Sequence, residues 1–155
     1  MAGIFSTLTS LLAALSPRDA DPARQRRLAV YRDLAAAVEQ PGTTFGALQK
    51  RSRFGQRFHR GPGTASLLVV RPGELEVLWQ DGPFRRTRRR VIPLEASTVH
   101  APDRRGWIRV DEGPHHLLFC PDGAADELWE TGESRRLHDA LRDASGLRIR
   151  LRTAS

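Results

Sequence analysis

The sequence contains a single cysteine, Cys120, in 155 residues. One cysteine excludes an intramolecular disulfide framework, and it is typical of proteins from a reducing compartment. The chain also lacks an apolar run approaching the roughly 18 residues that a membrane span needs. Its first 17 residues contain no basic side chain, and serine and threonine interrupt their apolar run, which argues against a signal peptide. We therefore expect a soluble, cytoplasmic protein with one domain and appendages.

Recognisable catalytic motifs are absent as well. The sequence has no nucleophile elbow, no glycine-rich phosphate loop and no metal-ligand spacing. His115, His116 and Cys120 come nearest to a metal site. However, adjacent strand residues point to opposite faces, and four residues of strand separate His116 from Cys120 by about 13 Å. We therefore expect a protein that is not an enzyme and that binds neither a metal nor a cofactor.

Lysine is nearly missing, because 24 of the 25 basic residues are arginine. The net charge is +7, and the charges are segregated along the chain: residues 1–60 carry ten basic and four acidic groups, whereas residues 111–134 carry seven acidic groups and no lysine or arginine. A GC-rich genome supplies arginine codons without functional demand, so the position of the clusters says more than the total. Alternatively, the acidic segment pairs with the basic clusters and leaves no site for a polyanion.

The first residues show the spacing of an amphipathic helix. Between residues 3 and 15 the apolar side chains fall on a stripe about 120° wide, opposite a face of serine and threonine. Helices that bind membrane surfaces usually carry lysine or arginine on that face. We therefore expect this helix to pack on protein, either its own chain, a partner or a second copy. Its apolar residues are Ile4, Phe5, Leu8, Leu11, Leu12 and Leu15.

Two more helices are predicted before residue 60. Asp21 followed by Pro22 is a typical N-cap and first helical position, and this helix is expected to run to about Gln40, where Pro-Gly stops it. A short third helix, capped by a threonine, is predicted over about 43–48.

From Thr64 onward the apolar period changes to two. Seven short runs at about nine-residue spacing predict strands, separated by turns that contain glycine or proline. This pattern favours an antiparallel barrel or sandwich. A helix is predicted at about 133–145, and the tail at 147–153 alternates like one more strand. The seven runs are ASLLVVR, ELEVLWQ, RTRRRVIPL, STVHA, WIRVD, HHLLFC and DELWE.

Seven short strands followed by one amphipathic helix, with VIPLEASTV in the third-to-fourth strand region, resemble a bacterial pleckstrin-homology-like (PH-like) domain. The resemblance covers about residues 64–146 and implies a half-open barrel closed at one end by the C-terminal helix. In phosphoinositide-binding members the loop between the first two strands is basic. Here that loop is predicted to be RPGE, with Arg71 alone, so lipid binding is not implied, and many members of this family bind peptides or proteins.

The predicted fold class is therefore α+β, with N-terminal helices followed by an antiparallel half-open β-barrel that a C-terminal helix closes. The predicted domains are an N-terminal helical region over 1–60, which includes a basic and aromatic segment, and a β-barrel-like domain over 64–152.

Three basic clusters carry the strongest functional signal. One is the segment KRSRFGQRFHRG at 50–61, and the other two lie on alternating strands, where residues of one face are about 6.6 Å apart. That spacing is close to the spacing of phosphates along an extended single strand, and arginine binds phosphate with two parallel hydrogen bonds. Phenylalanines beside the first cluster offer stacking surfaces for bases. The candidate residues are Lys50, Arg51, Arg53, Phe54, Arg57, Phe58, Arg60, Arg86, Arg88, Arg90, Arg148, Arg150 and Arg152.

These clusters predict a non-catalytic protein that binds nucleic acid, single-stranded or with little sequence preference, through phosphate contacts. The alternative is a PH-like adaptor or assembly protein that docks on a protein partner, or on a second copy, through the helix at 3–15. Binding to an anionic membrane is the less favoured alternative, because the first helix lacks basic residues. Exposed strand faces rich in arginine also protect sheet edges from aggregation, which requires no ligand.

Overall fold

The structure, a computed structural model, describes residues 21–53, 56–58, 60–122 and 132–146. Two helices and a seven-stranded antiparallel half-barrel define an α+β fold, and this confirms the predicted fold class. The elements are α1 (Pro22–Ala36), β1 (Thr43–Arg53), β2 (Thr64–Arg71), β3 (Glu74–Asp81), β4 (Arg86–Pro93), a 3-10 turn (Leu94–Ala96), β5 (Thr98–Val99), β6 (Ile108–Glu112), β7 (His115–Pro121) and α2 (Glu133–Ala144).

The seven strands form one curled sheet in the order β4-β3-β2-β1-β7-β6-β5. Strands β1 to β4 follow one another as a meander, strands β5 to β7 form a second one, and β7 returns to pair with β1. Every pairing is antiparallel, and the tight turns contain Gly73, Gly82 and Gly113 at positive φ, a conformation that glycine adopts without steric cost. Six of the seven strand runs predicted from period two are confirmed as β2 to β7.

The main core fills one end of the concave face. Side chains from all the strands meet there with Leu137 and Leu141 of α2, and most of these residues are fully buried. The backbone of Ala144 accepts a hydrogen bond from Gly73 in the β2–β3 turn, and Ser134 donates one to the carbonyl of Gly106. Helix α2 therefore packs over this end of the half-barrel, which we call the closed end.

Helix α1 covers the convex face. Asp21 caps it by accepting a hydrogen bond from the Ala23 amide, as predicted, but the helix ends at Ala36 and not near Gln40. Leu34 is buried against the convex side chains of β2 and β3 in a second, smaller core. The middle of the helix is held by Asp122, which accepts hydrogen bonds from Arg27 and Tyr31 at 2.7 and 2.8 Å.

The short third helix predicted over 43–48 is wrong. Residues 43–53 form β1, which lies in the middle of the sheet between β2 and β7. Phe45 and Ala47 point into the main core, while Gly46 on the opposite face lies under Tyr31. A Cβ at Gly46 would come within 2.9 Å of the Tyr31 ring, so glycine allows α1 to lie close to the strand.

The position of β1 also corrects the loop between the first two strands. That connection is 54–63 and not the RPGE turn, because RPGE joins β2 to β3. The connection between the first two strands therefore contains Arg57 and Arg60 and is basic. The argument against lipid binding assumed that this loop was RPGE with Arg71 alone, and that assumption is wrong.

Several predicted features lie outside the described residues. These are the amphipathic helix at 3–15, the strand DELWE at 126–130 and the alternating tail at 147–153. In the part of the chain that the structure describes, no helix is both long enough and apolar enough to cross a membrane.

Candidate functional site

The end of the half-barrel away from α2 gathers three chain connections. The β1–β2 connection, the β3–β4 turn and the β6–β7 turn all lie there, because β1, β3 and β6 finish and β2, β4 and β7 begin at this end. We call it the open end. Its concave surface continues the face that forms the main core, but its side chains are polar and charged instead of apolar.

Strand β4 shows where the core stops and the open end starts. Ile92 is buried in the main core, and Arg90, Arg88 and Arg86 follow on the same face at alternate positions. Their partners on β3 are Val77, Trp79 and Asp81 in the same order, so the apolar lining gives way to charge along both strands. The prediction that these three arginines share one strand face is confirmed by this register.

Strand β1 brings the first basic cluster to the same surface. Arg51 and Arg53 lie on the concave face opposite Leu117 and His115 of β7. The Arg51 guanidinium carbon lies 3.7 Å from the centre of the Trp79 ring, a stacked cation–π contact that joins β1 to β3 across the end of β2. Partial burial lowers the pKa of Arg51, and the nearby positive charge of Arg90 lowers this pKa further. Arg51 and Arg90 belong to two clusters and are 39 residues apart in sequence, yet they share one electrostatic environment.

Two carboxylates lie among these arginines. Arg90 forms an ion pair of 2.6 Å with Glu112 of β6, and both side chains are about three-quarters buried, with 25% and 23% of their surfaces exposed. Arg88 approaches Asp81 at 3.6 Å, but both of those side chains are more than half exposed. Within the described part of the chain, Arg51 and Arg86 have no carboxylate within ion-pair distance.

The other residues of the first cluster are divided between two surfaces. Lys50 lies on the convex face of β1, opposite to the face of Arg51 and Arg53, with its ammonium 4.7 Å from the centre of the Trp107 ring. Arg57 and Arg60 are exposed in the β1–β2 connection at the open end, and Phe58 is half-buried. The start of this connection is anchored to β1, since the Gln56 amide donates to the Arg53 carbonyl at 3.2 Å. Phe54, Arg148, Arg150 and Arg152 lie outside the described residues.

Phe84 is an aromatic residue at this end that sequence reasoning missed. It lies in the β3–β4 turn and is 83% exposed. Among the described residues, two large hydrophobic side chains are exposed, and Phe84 is the more exposed of them. Gly82 before it and Arg85 after it both have positive φ, which sets the shape of the turn. Its exposure could have been predicted from the sequence. Phe84 follows Gly-Pro and precedes RRTRRR, so it lies in a turn next to charged residues and not in an apolar run.

A cavity opens beside Trp79, at the start of β2. It has a volume of about 500 Å³ and is lined by Gln49, Lys50, Arg51, Gly61, Gly63, Thr64, Trp79, Gln80 and Asp81. Neither the cavity nor Trp79 was expected from sequence.

The histidines and the cysteine do not converge. His115 lies on the concave face and His116 on the convex face, where His116 and His100 both bind Asp111 at 2.6 and 2.9 Å. Cys120 is buried, and burial raises the pKa of its thiol to about 11. Among the described residues, no three histidine, cysteine or acidic side chains lie together in a way that could hold a metal ion.

In the described part of the acidic segment 111–134, the carboxylates bind several different partners. Glu112 binds Arg90 at the open end, whereas Asp122 binds Arg27 of α1 and Asp111 binds Arg109 and two histidines on the convex face. Of Asp111, Glu112 and Asp122, Glu112 alone is paired with an arginine of the predicted clusters.

No protein-family model matches this chain, and the curated proteins contain no match to it.

Proposed function

We propose that the open end binds single-stranded nucleic acid, mainly through its phosphates and without catalysis. The observation that carries the proposal is the convergence of Arg51 and Arg53 of β1 with Arg86 and Arg88 of β4 on one concave surface. Like charges brought together in this way repel one another, and a bound polyanion relieves that repulsion while it releases counterions.

The spacing of the arginines fits an extended phosphate chain. Arg86 and Arg88 are alternate residues of one strand, so their Cα atoms are about 6.6 Å apart. Arg57 and Arg60 in the β1–β2 connection extend the basic surface beyond the strands. A track of exposed arginines is suited to several successive phosphates, whereas a single phosphate needs only one compact cluster.

The exposed aromatic residue favours nucleic acid among the polyanions. Phe84 projects from the β3–β4 turn immediately before Arg85 and Arg86. Every base has a face that stacks on an aromatic ring, so an aromatic side chain beside phosphate-binding arginines supports a strand without requiring one sequence. A lipid headgroup offers phosphate as well, and lipid vesicles therefore belong in the test.

We also propose that the half-barrel is a PH-like domain, with β1 as its first strand. The support is the order of elements: seven antiparallel strands in two meanders, β7 paired with β1, and a helix after β7 that packs over one end. The adaptor function through the helix at 3–15 stays a prediction, as does the cytoplasmic location, because neither depends on a described residue.

The test reverses charge at the open end and at a matched control site. R86E/R88E removes two exposed arginines from the proposed surface. R32E/R104E makes the same change in net charge at two exposed arginines elsewhere, Arg32 on α1 and Arg104 near the closed end. Binding of a labelled single-stranded oligonucleotide is followed by fluorescence anisotropy at low salt, with circular dichroism to confirm folding.

We expect R86E/R88E to weaken binding at least tenfold and R32E/R104E to weaken it about threefold or less, since distant charges act only through a screened field. Equal losses in both variants would contradict a site at the open end. Binding to vesicles with phosphorylated headgroups but not to the oligonucleotide would replace nucleic acid by lipid as the ligand.

A further inference from the structure

The cavity beside Trp79 lies at the open end, next to the first residues of β2, and we call it the slot. Thr64 of β2 pairs with Gln49 of β1, and Ser66 of β2 pairs with Trp79 of β3. Beyond Gln49, β1 continues to Arg53 past the start of β2. The slot is lined by Gln49, Lys50, Arg51, Gly61, Gly63, Thr64, Trp79, Gln80 and Asp81.

The floor of the slot is held in place by glycine. Gly63 has φ of +93°, and a Cβ there would come within 2.7 Å of the Gln49 carbonyl oxygen. A larger residue would therefore push the β1–β2 connection away from β1. Nothing lies within 4 Å of a Cβ placed on Gly61, so the slot stays open on that side. Its volume of about 500 Å³ falls within the roughly 300–1,000 Å³ of small-ligand pockets.

One wall of the slot is a stacking surface. The Arg51 guanidinium lies against the Trp79 ring at 3.7 Å, and the Gln49 side-chain oxygen accepts from the Arg51 Nε at 3.4 Å, which helps to hold the guanidinium in position. Arginine planes and aromatic rings are the two surfaces on which proteins stack single-stranded bases.

The rim of the slot carries a hydrogen-bond acceptor. Asp81 lines the cavity, its side chain is 61% exposed, and its contact with Arg88 is loose at 3.6 Å. An ionised carboxylate has two acceptor oxygens. Guanine presents two adjacent N–H donors, N1 and N2, on its Watson–Crick edge, whereas adenine, cytosine and thymine present at most one donor group next to acceptors.

We infer that the slot binds one base of the strand and prefers guanine, which stacks on the Arg51–Trp79 pair and donates two hydrogen bonds to Asp81. This inference rests on the proposed function, and it adds one base-selective position to a surface that otherwise binds phosphates. The phosphates on either side of that base are placed for Arg53 and Arg88, which flank the slot on β1 and β4.

The first experiment compares two oligonucleotides, an all-thymidine 12-mer and the same 12-mer with one central guanosine. We expect the guanosine to strengthen binding to the wild-type protein about tenfold, the size of one good bidentate contact to a base. D81N should abolish this preference without weakening binding of the all-thymidine strand, because it removes an acceptor but no arginine. E95Q, a change at an exposed acid outside the slot, should keep the preference.

A second experiment uses GMP alone and the intrinsic fluorescence of the three tryptophans. GMP should quench the wild-type protein more strongly than UMP at equal concentration, and W79F should lose that difference while W107F, altered on the convex face, keeps it.

The outcomes separate the two proposals. Equal affinity for both 12-mers in the wild-type protein, or a guanosine preference that survives D81N, would overturn the base position and leave phosphate binding intact. If neither 12-mer binds at low salt, the proposed function fails. Quenching by GMP that is equal to quenching by UMP would also count against the slot, whatever the oligonucleotides show.

Discussion

Arg90 of β4 and Glu112 of β6 form an ion pair of 2.6 Å although their strands occupy the first and sixth positions in the order of a seven-stranded sheet. Only a strongly curled sheet brings these strands together, so the pair bridges the mouth of the half-barrel. It lies where the apolar core ends and the arginine-lined surface begins, since Arg90 is opposite Val77 and next to Arg88 on the same face. The pair therefore supports the shape of the proposed binding surface.

Removing the carboxylate of this pair is expected to destabilise the protein. In E112Q a mostly buried Arg90 keeps its charge without a charged partner, which should lower the free energy of unfolding by about 1–2 kcal/mol, between the values for exposed and fully buried pairs. Urea denaturation followed by circular dichroism measures this. D81N, which breaks the exposed and longer Asp81–Arg88 contact, is the control and should cost less than about 0.5 kcal/mol. Equal costs for the two variants would contradict a structural role for the bridge.

Asp111 on the convex face predicts a pH dependence of stability. Partial burial raises the pKa of this carboxyl, but hydrogen bonds from Arg109, His116 and His100 outweigh burial and lower the pKa to about 2. A depressed pKa in the folded protein stabilises the fold above the unfolded value, near 3.8, and this contribution disappears as the pH falls to about 2.

D111N should therefore unfold more easily than the wild-type protein at pH 6, and the difference should shrink between pH 4 and pH 2. Thermal or urea unfolding at several pH values checks this, with D103N at an exposed acid in the β5–β6 connection as a comparison. A difference between D111N and the wild-type protein that is the same at pH 6 and pH 2 would show that the charge of Asp111 does not stabilise the fold.

Phe84 is predicted to matter for binding and not for folding. It buries little surface in the protein, so F84A should change the free energy of unfolding by less than about 0.5 kcal/mol. Loss of one stacked base should weaken oligonucleotide binding by about 1–3 kcal/mol. V91A, at the other exposed large hydrophobic side chain in the described residues, lies on the convex face and should leave binding unchanged. An unaltered affinity in F84A would remove Phe84 from the interface.

The sequence predicted most strands of the fold because their period of two is clear. In β3 the concave positions stay apolar as far as Trp79, in β2 the apolar residues 67–70 are buried on both faces, and the turns between strands carry glycine or proline. In β1 the concave positions change from Phe45 and Ala47 to Gln49, Arg51 and Arg53 as the strand leaves the core. Leu48 on the other face adds an apolar residue at helical spacing from Phe45, so the period of two was hidden.

The candidate site could be predicted only in part for a related reason. The alternation along RTRRRV places Arg86, Arg88 and Arg90 on one face, and this is visible in the sequence. Which other residues share that face depends on the register of β4 with β3 and on the curl of the sheet, which are tertiary properties. This register places Trp79 beside Arg88, and Lys50 lies on the opposite face of β1 from Arg51 because the two residues are adjacent in the strand, although both line the cavity.

The most direct test of nucleic-acid binding at the open end is the affinity of the wild-type protein for a labelled single-stranded oligonucleotide across a salt series, with duplex as competitor. Each phosphate contact to a single strand contributes about −0.7 to the slope of log affinity against log salt. Four or more arginine–phosphate contacts therefore predict a slope of about −3 or steeper, with submicromolar Kd near physiological salt. A flat slope, or no binding at low salt, would contradict the proposed function.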